Sequence, residues 1–175
     1  MKPVVLVRDL RIREHFLTKL FVRAGFHELR TRPSMRGIVQ FQADNKLLLM
    51  AYNQTEMRKL GAIVANHEKR GLASLLDDYE EHLDRALARP ARYTSHVNVL
   101  MHTLGYFSKQ LTARERRNFL DLLESYRDEN VPLGAAIAVC RSWIARFGND
   151  YLERQTYFTP HLDAMTESGE DRGKL

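Results

Sequence analysis

The apolar residues of this chain recur at intervals of three and four, and glycine, proline or asparagine breaks separate the runs. The clearest run contains Leu72, Leu76, Tyr79 and Leu83, which share one side of a helix. Residues 4–6 are a candidate for a short extended segment, and we find no other convincing strand. The pattern therefore predicts an all-α fold, a single compact bundle of about seven or eight helices.

Local start and stop signals divide the helical runs. Ser34 and Asn53 can cap helices, Gly25 is a plausible stop, and Thr112 with Glu115 has the spacing of a capping box. The predicted helices cover residues 9–25, 34–52, 55–67, 72–89, 94–111, 112–128, 132–148 and 150–159. The buried face predicted for the first helix consists of Leu10, Leu17, Leu20, Phe21 and Ala24.

The segment 94–111 has two contrasting faces at helical pitch. Asn98, His102, Tyr106 and Lys109 share one face, where a surface helix would ordinarily have Glu, Lys and Arg. These residue types indicate either a buried polar seam between helices or a surface shaped to contact a partner. We favour a partly open groove. The face predicted to be buried consists of Val97, Leu100, Met101, Leu104, Phe107 and Leu111.

Positive charge is concentrated at the start of the chain. Residues 1–40 hold nine Lys and Arg against three acidic residues, a local net charge of +6, whereas the whole chain has +5. A localised positive field suits a polyanion, most often nucleic acid. A solvated, arginine-rich helix face would have the same composition, so charge alone leaves both interpretations open.

The chain carries no sign of secretion or membrane insertion. No run approaches the ~20 apolar residues of a membrane helix, and the first residues do not have the pattern of a signal peptide. Cys140 is the one cysteine, which excludes an internal disulfide. We therefore expect a cytoplasmic, bacterial-type protein with no membrane partner.

Catalytic and metal sites have little support in the sequence. The seven histidines form no His-x-x-x-His pair, and Asp78 with His82 is typical of a solvated, ion-paired helix face. Cys140 falls on an apolar face, where a thiol is usually inert, and no nucleophile elbow or phosphate loop is present. We predict no metal and no cofactor. His102 and Tyr106, spaced i and i+4, could nevertheless meet as an acid/base pair.

The segment SHVNVLMHTLGYF, residues 95–107, resembles the signature of the YbgA-like domains, a bacterial all-α family of unknown function. KLLLMA at 46–51 and RKLG at 58–61 resemble the upstream blocks of the family, and SYR at 125–127 resembles a downstream one. The resemblance covers about residues 34–160. It predicts a YbgA-like domain at 34–160. The charge predicts a basic N-terminal helical segment at 1–33, and the composition predicts a disordered tail at 161–175. The motif residues are Ser95, His96, Asn98, His102, Gly105, Tyr106, Tyr126, Arg127, Gln155 and Tyr157.

The family occurs alone and also fused behind an iron–sulfur desulfidase domain that removes sulfur from thiouracil or from 4-thiouridine in tRNA. In such fusions this domain is thought to assist RNA binding. One cysteine cannot hold an iron–sulfur cluster, so the resemblance implies that this chain would supply the binding half. The family usually has histidine where Tyr52 stands, so no role for that imidazole is carried over. A loop glycine common in the family is replaced here by Glu129 or Asn130.

The local positive charge and the resemblance together predict a non-catalytic helical module that binds RNA. The resemblance implies tRNA as the expected RNA and a tRNA thiouridine desulfidase as a partner protein. One alternative is an enzyme whose pocket encloses His102 and Tyr106 as proton-transfer groups. Another is a homodimeric scaffold whose exposed aromatic groups form a protein interface, and the oligomeric state is left open. The predicted RNA contacts are Arg30, Arg32, Arg36, Lys46, Arg58, Lys59, Asn98, His102, Tyr106 and Lys109.

Overall fold

The computed structural model describes residues 10–159 of the chain. Within this range the secondary structure is nine α-helices and a 3-10 helix at Thr156–Phe158, with no strand. The prediction of an all-α fold with about seven or eight helices is confirmed, since the ninth helix has only four residues. The helices are α1 (Leu10–Thr31), α2 (Met35–Asp44), α3 (Lys46–Tyr52), α4 (Gln54–Ala65), α5 (Leu72–Ala86), α6 (Tyr93–Phe107), α7 (Ala113–Arg127), α8 (Leu133–Phe147) and α9 (Asp150–Glu153).

The chain divides into two compact units, Met1–Ala91 and Arg92–Leu175. Helices α1–α5 belong to the first unit and α6–α9 to the second. The domain limits predicted at 33/34 and 160/161 stay predictions. The extended segment predicted at 4–6 and the tail predicted at 161–175 lie outside the described residues. Among the helices of residues 10–159, none is both long and apolar enough to span a bilayer.

Helix α1 buries a different face from the predicted one. Leu20 is 56% exposed, Phe21 and Ala24 are exposed, and Leu17 is only half-buried. Among residues 11–31, the part of α1 whose side chains the structure describes, the buried ones are Thr18, Val22 and Phe26. The side chain of Leu10, also predicted to be buried, lies outside that range. The predicted buried face of α1 is therefore wrong. The use of its exposed apolar side chains as a protein interface, as the scaffold alternative requires, stays a prediction.

Contacts with α5 explain the orientation of α1. Phe26 stacks on Tyr79 with ring centroids 5.5 Å apart. Arg30 donates hydrogen bonds to Asp77 at 2.7 Å and Glu80 at 2.6 Å. Because aromatic stacking and ion pairs both join this side of α1 to α5, the more apolar side of the helix is left exposed. Neither interaction is visible in the periodicity of α1 alone.

Several helix boundaries also differ from the prediction: the helices predicted to reach 89, 111 and 159 end at Ala86, Phe107 and Glu153. Helix α1 continues past Gly25 to Thr31, and the helix predicted over 34–52 is interrupted at Asn45. The Asn45 side-chain amide donates to the Phe41 carbonyl at 2.9 Å. Asparagine readily forms such local side-chain bonds with the backbone, which compete with helix continuation. The result is two short helices, α2 and α3, in place of one long one.

Most of the predicted caps are confirmed. The Ser34 hydroxyl accepts from the Gly37 amide at 2.9 Å, and the Asn53 side chain accepts from the Glu56 amide at 3.0 Å. Gly148 ends α8 with φ of +66°, a backbone conformation that favours glycine. These caps satisfy backbone groups that a helix end leaves without partners. They depend on neighbouring residues only, which is why the sequence reveals them.

The second unit has an aromatic core that anchors three helices. Trp143 of α8 meets Phe119 of α7 edge-on with centroids 4.7 Å apart, and Phe107 of α6 at 6.0 Å. All three rings are buried. The predicted capping box begins α7, since Thr112 and Glu115 bond each other's backbone amides at 2.7 and 3.2 Å. This packing fixes which side of α6 remains available for other contacts.

Candidate functional site

Helix α6 and the turn that follows it present a polar face, defined here as Asn98, His102 and Tyr106 of α6 with Lys109 of the turn, and all four side chains are exposed. Tyr106 is 41% exposed. The face is thus an open surface and not a buried seam between helices. An amide, an imidazole, a phenol and an ammonium group together offer hydrogen-bond donors, acceptors and aromatic rings to a partner.

The opposite side of α6 is packed into the second unit. Met101, predicted to be buried, is 43% exposed, and Val97 is half-buried. Thr103 takes a buried position instead, and its hydroxyl donates to the Val99 carbonyl at 2.9 Å. That bond satisfies the hydroxyl inside the helix and allows a polar residue in the core. The prediction is confirmed for Leu100, Leu104, Phe107 and Leu111.

Three rings meet on the α6 polar face. His102 and Tyr106 are in edge-to-face contact with centroids 5.4 Å apart, and Tyr106 stacks on Tyr151 at 5.8 Å. Burial, together with the nearby Tyr106 phenol, raises the pKa of Tyr151 to about 12. Tyr151 is therefore protonated at neutral pH and supports the ring of Tyr106. No signal in the sequence indicates that Tyr151 lies beside Tyr106.

His96 and Tyr157 of the family motif are structural. Both are buried, their rings stack at 5.8 Å, and a 2.9 Å hydrogen bond joins the His96 Nδ1 to the Tyr157 hydroxyl. Burial lowers the pKa of His96 to about 4, so the imidazole is neutral. This pair attaches the 3-10 helix to α6. Gln155 is buried in the same segment, so these three residues cannot contact a partner from the surface.

The other motif residues of the second unit lie at or near the surface. Gly105 is exposed, Ser95 and Tyr126 are half-buried, and Arg127 is exposed. The Arg127 guanidinium donates to Asp128 at 3.1 Å, and this bond raises the pKa of Arg127. The motif stretch 95–107 thus separates into buried and exposed members because helix α6 turns neighbouring side chains in different directions.

The predicted basic contacts of the first unit divide into engaged and exposed residues. Arg30 is held by two carboxylates, and Lys59 donates to Glu56 at 2.8 Å. These charges stabilise packing within the unit and are less available to a polyanion. The remaining basic residues are exposed and have no ion pair within residues 10–159: Arg32, Arg36, Lys46 and Arg58.

A polar cluster that sequence reasoning missed surrounds Tyr52 in the first unit. Tyr52 stacks on His15 with centroids 5.6 Å apart, and burial raises the pKa of Tyr52. Burial also raises the pKa of Glu14 to about 7. The buried Thr18 hydroxyl lies near enough to lower the pKa of Tyr52 slightly but makes no hydrogen bond of normal geometry. Only the i, i+4 spacing of Glu14 and Thr18 could have indicated this cluster.

The acidic segment on α5 is an ion-pair network. His82 Nδ1 lies 2.6 Å from a Glu56 carboxylate oxygen, and its Nε2 lies 3.7 Å from Asp78. Burial acts to raise the pKa of Glu56, but the bonds from Lys59 and His82 hold it below its usual value. No three His, Cys, Asp or Glu side chains in residues 10–159 are arranged to hold a metal ion. Cys140 is fully buried and burial raises its pKa, as expected for an inert thiol.

The enzyme alternative requires a pocket that encloses His102 and Tyr106. Both side chains are exposed, with the ring contact described above. A shallow cleft in the second unit is lined by other residues, namely Arg141, Ile144, Ala145, Leu152, Glu153 and Phe158. The geometry of the pair therefore suits surface contact better than enclosed proton transfer, which needs a positioned substrate.

Comparison with known proteins identifies the relatives of this chain. Residues 46–161 match the profile of a family described as "Protein of unknown function (DUF1722)". The uncharacterized protein YbgA of Escherichia coli (strain K12) is 31% identical over 163 residues, which cover 91% of this chain and 96% of that protein. No solved structure gives a significant match. The predicted YbgA-like resemblance is confirmed, and the chain belongs to the DUF1722 family of proteins of unknown function.

Proposed function

We propose that this protein is a non-catalytic module that binds structured RNA, with tRNA as the leading candidate, in the cytoplasm. One observation supports the proposal above the others: α6 exposes Asn98, His102 and Tyr106 on a face where α6 itself has no acidic residue. Aromatic rings with amide and imidazole groups suit unpaired bases, which stack on rings and offer free hydrogen-bonding edges.

Cations of the first unit would supply the sequence-independent part of the affinity. Arg32, Arg36, Lys46 and Arg58 are the members of the predicted set with exposed guanidinium or ammonium groups and no internal ion pair among the described residues. Contacts of this kind release counterions, so affinity falls with salt by a slope of roughly 0.7–0.9 for each phosphate neutralised. Arg30 and Lys59, both engaged by carboxylates, would contribute less.

A desulfidase partner is the part of the proposal that rests on the family resemblance alone. The single cysteine of the chain is consistent with a module that supplies binding and leaves cluster chemistry to another protein. The proposal therefore assigns this chain a role in holding the RNA. It assigns no proton transfer to His102 and Tyr106.

Fluorescence anisotropy with labelled tRNA over a salt series tests the proposal. Arg36→Gln should weaken binding and reduce the salt slope by about one, whereas Arg30→Gln, the matched control, should leave the slope unchanged. Tyr106→Ala should weaken binding about tenfold without changing the slope, because stacking releases no counterions. Leu120→Ala is its control, since Leu120 is also 41% exposed. Wild-type affinity no higher than that of an unrelated protein of equal charge would refute the proposal.

A further inference from the structure

Gly105 occupies the exposed side of α6, yet nothing in the described part of the protein requires glycine there. Its backbone is helical and does not have positive φ. A Cβ added at this position would meet no atom within 4 Å. Glycine is among the least favourable residues in a helix, so a glycine with neither a backbone nor a packing reason indicates a close approach from outside.

The surroundings of Gly105 define the shape of what could approach. Met101 and His102 lie one turn before it on the helix and are both exposed. Tyr106 follows directly and is supported from behind by Tyr151. Bare helix backbone at Gly105 is thus bordered by a flexible thioether on one side and by a cluster of rings on the other. This arrangement suits a flat group lying against the helix.

We infer that the backbone at Gly105 receives an unpaired nucleobase of the bound RNA, an inference that rests on the proposed function. The base lies over Gly105 between Met101 and the rings of His102 and Tyr106. Asn98, two turns before Gly105 and exposed, offers its amide to the base edge. A base inside a duplex is stacked on both faces and cannot lie flat on a protein helix, so the nucleotide must be single-stranded.

The charge on α6 is compatible with a nucleotide. Helix α6 contains no Asp or Glu, and Lys109, in the turn that follows the end of α6 at Phe107, has an exposed side chain. A phosphate next to the bound base would therefore meet a cation and no carboxylate of α6. A docked protein helix is the other occupant that a surface glycine could serve, but it has less use for exposed imidazole and phenol rings in contact with each other.

The test uses full-length protein with a labelled single-stranded oligoribonucleotide of about ten nucleotides and its blunt duplex as probes. Gly105→Leu should weaken single-strand binding at least tenfold, because its side chain occupies the space over the helix backbone where the base lies. Gly105→Ala should have an intermediate effect. Gly105→Leu should change duplex binding less than about twofold. Gly61→Ala is the matched control. Gly61 also lies within a helix, and a Cβ there would make only an ordinary contact of 3.8 Å with Gln42.

Thermal unfolding separates a blocked site from a damaged fold. Gly105→Ala and Gly61→Ala should each raise the midpoint by about 2–4 °C, because alanine favours the helix. Stabilised Gly105 variants that bind the single strand as tightly as wild type would overturn the inference while leaving the proposed RNA binding intact. Wild-type protein that binds neither probe nor tRNA would overturn both. An equal loss for single strand and duplex would also overturn the inference, since it requires an unpaired base.

Discussion

Replacing Glu14 by glutamine should change how the stability of the first unit depends on pH. Glu14 lies partly buried on α1, and this burial raises the pKa of its carboxyl from 4.5 to about 7. The neutral amide of glutamine has nearly the same shape and needs no proton. The variant therefore removes the titration and keeps the volume, which isolates the electrostatic effect from packing.

The size of the effect follows from linkage between protonation and folding. Because the pKa of Glu14 is raised in the folded state, its favourable contribution is fully present below pH 4.5 and is lost as the pH rises through 7. A shift of one pKa unit corresponds to about 1.4 kcal/mol. Between pH 5 and pH 8, wild type should lose about 2–3 kcal/mol of unfolding free energy through this group.

Urea unfolding at pH 5 and pH 8 measures this loss. The stability of Glu14→Gln relative to wild type should rise by about 2–3 kcal/mol from the lower to the higher pH. Glu28→Gln is the matched control, since Glu28 lies on the same helix with an exposed side chain. A difference between Glu14→Gln and wild type that is equal at both pH values would refute the reasoning. It would mean that the carboxyl is ionised in the folded protein without penalty.

Two further predictions concern the second unit. Thr112→Ala should lower the free energy of unfolding by about 1 kcal/mol because it removes the cap of α7. Thr112→Ser keeps a capping hydroxyl and should restore most of this free energy. Urea unfolding measures both variants. His96 has a pKa lowered by burial to about 4, so its contribution is present above pH 6.5 and is lost as the pH falls towards 4. Wild type should therefore lose about 2 kcal/mol between pH 7 and pH 5 through this group, and His96→Leu should not. Urea unfolding of wild type and His96→Leu at pH 7 and pH 5 measures this difference. Equal losses of unfolding free energy in the two proteins would contradict the lowered pKa of His96.

Features that depend on neighbouring residues could be predicted from the sequence. The caps at Ser34 and Asn53 and the capping box at Thr112 each need only side chains two or three positions from a helix end. The helices themselves follow from the spacing of apolar residues. The polar character of the exposed α6 face was also readable, since Asn98 and His102 occupy positions that a buried face would fill with apolar groups.

Features that depend on partners distant in sequence could not be predicted in this way. Helix α1 has two faces that could be buried, and Arg30 selects one through Asp77 and Glu80, about fifty positions away. His96 was a motif residue without a visible role because Tyr157, its hydrogen-bond partner, is 61 positions away. The positive charge that residues 1–40 expose to a partner is likewise smaller than their composition indicates. Composition counts Arg30 as a free cation, whereas the fold places it against two carboxylates.

The titrations of Glu14 and His96 oppose each other, and this opposition bears on how the chain unfolds. Acidification from pH 7 to pH 5 should stabilise the first unit by about 2 kcal/mol through Glu14 and destabilise the second by a similar amount through His96. If both units unfold in one transition, the two terms nearly cancel and the wild-type midpoint changes little. If each unit unfolds separately, one transition moves to higher and the other to lower urea concentration. A wild-type stability that does not change with pH is therefore compatible with the titration of both groups. Each single variant should then show the pH dependence of the one group that remains, and the two variants should have slopes of opposite sign. Wild type and both variants with flat profiles would contradict the two assignments together.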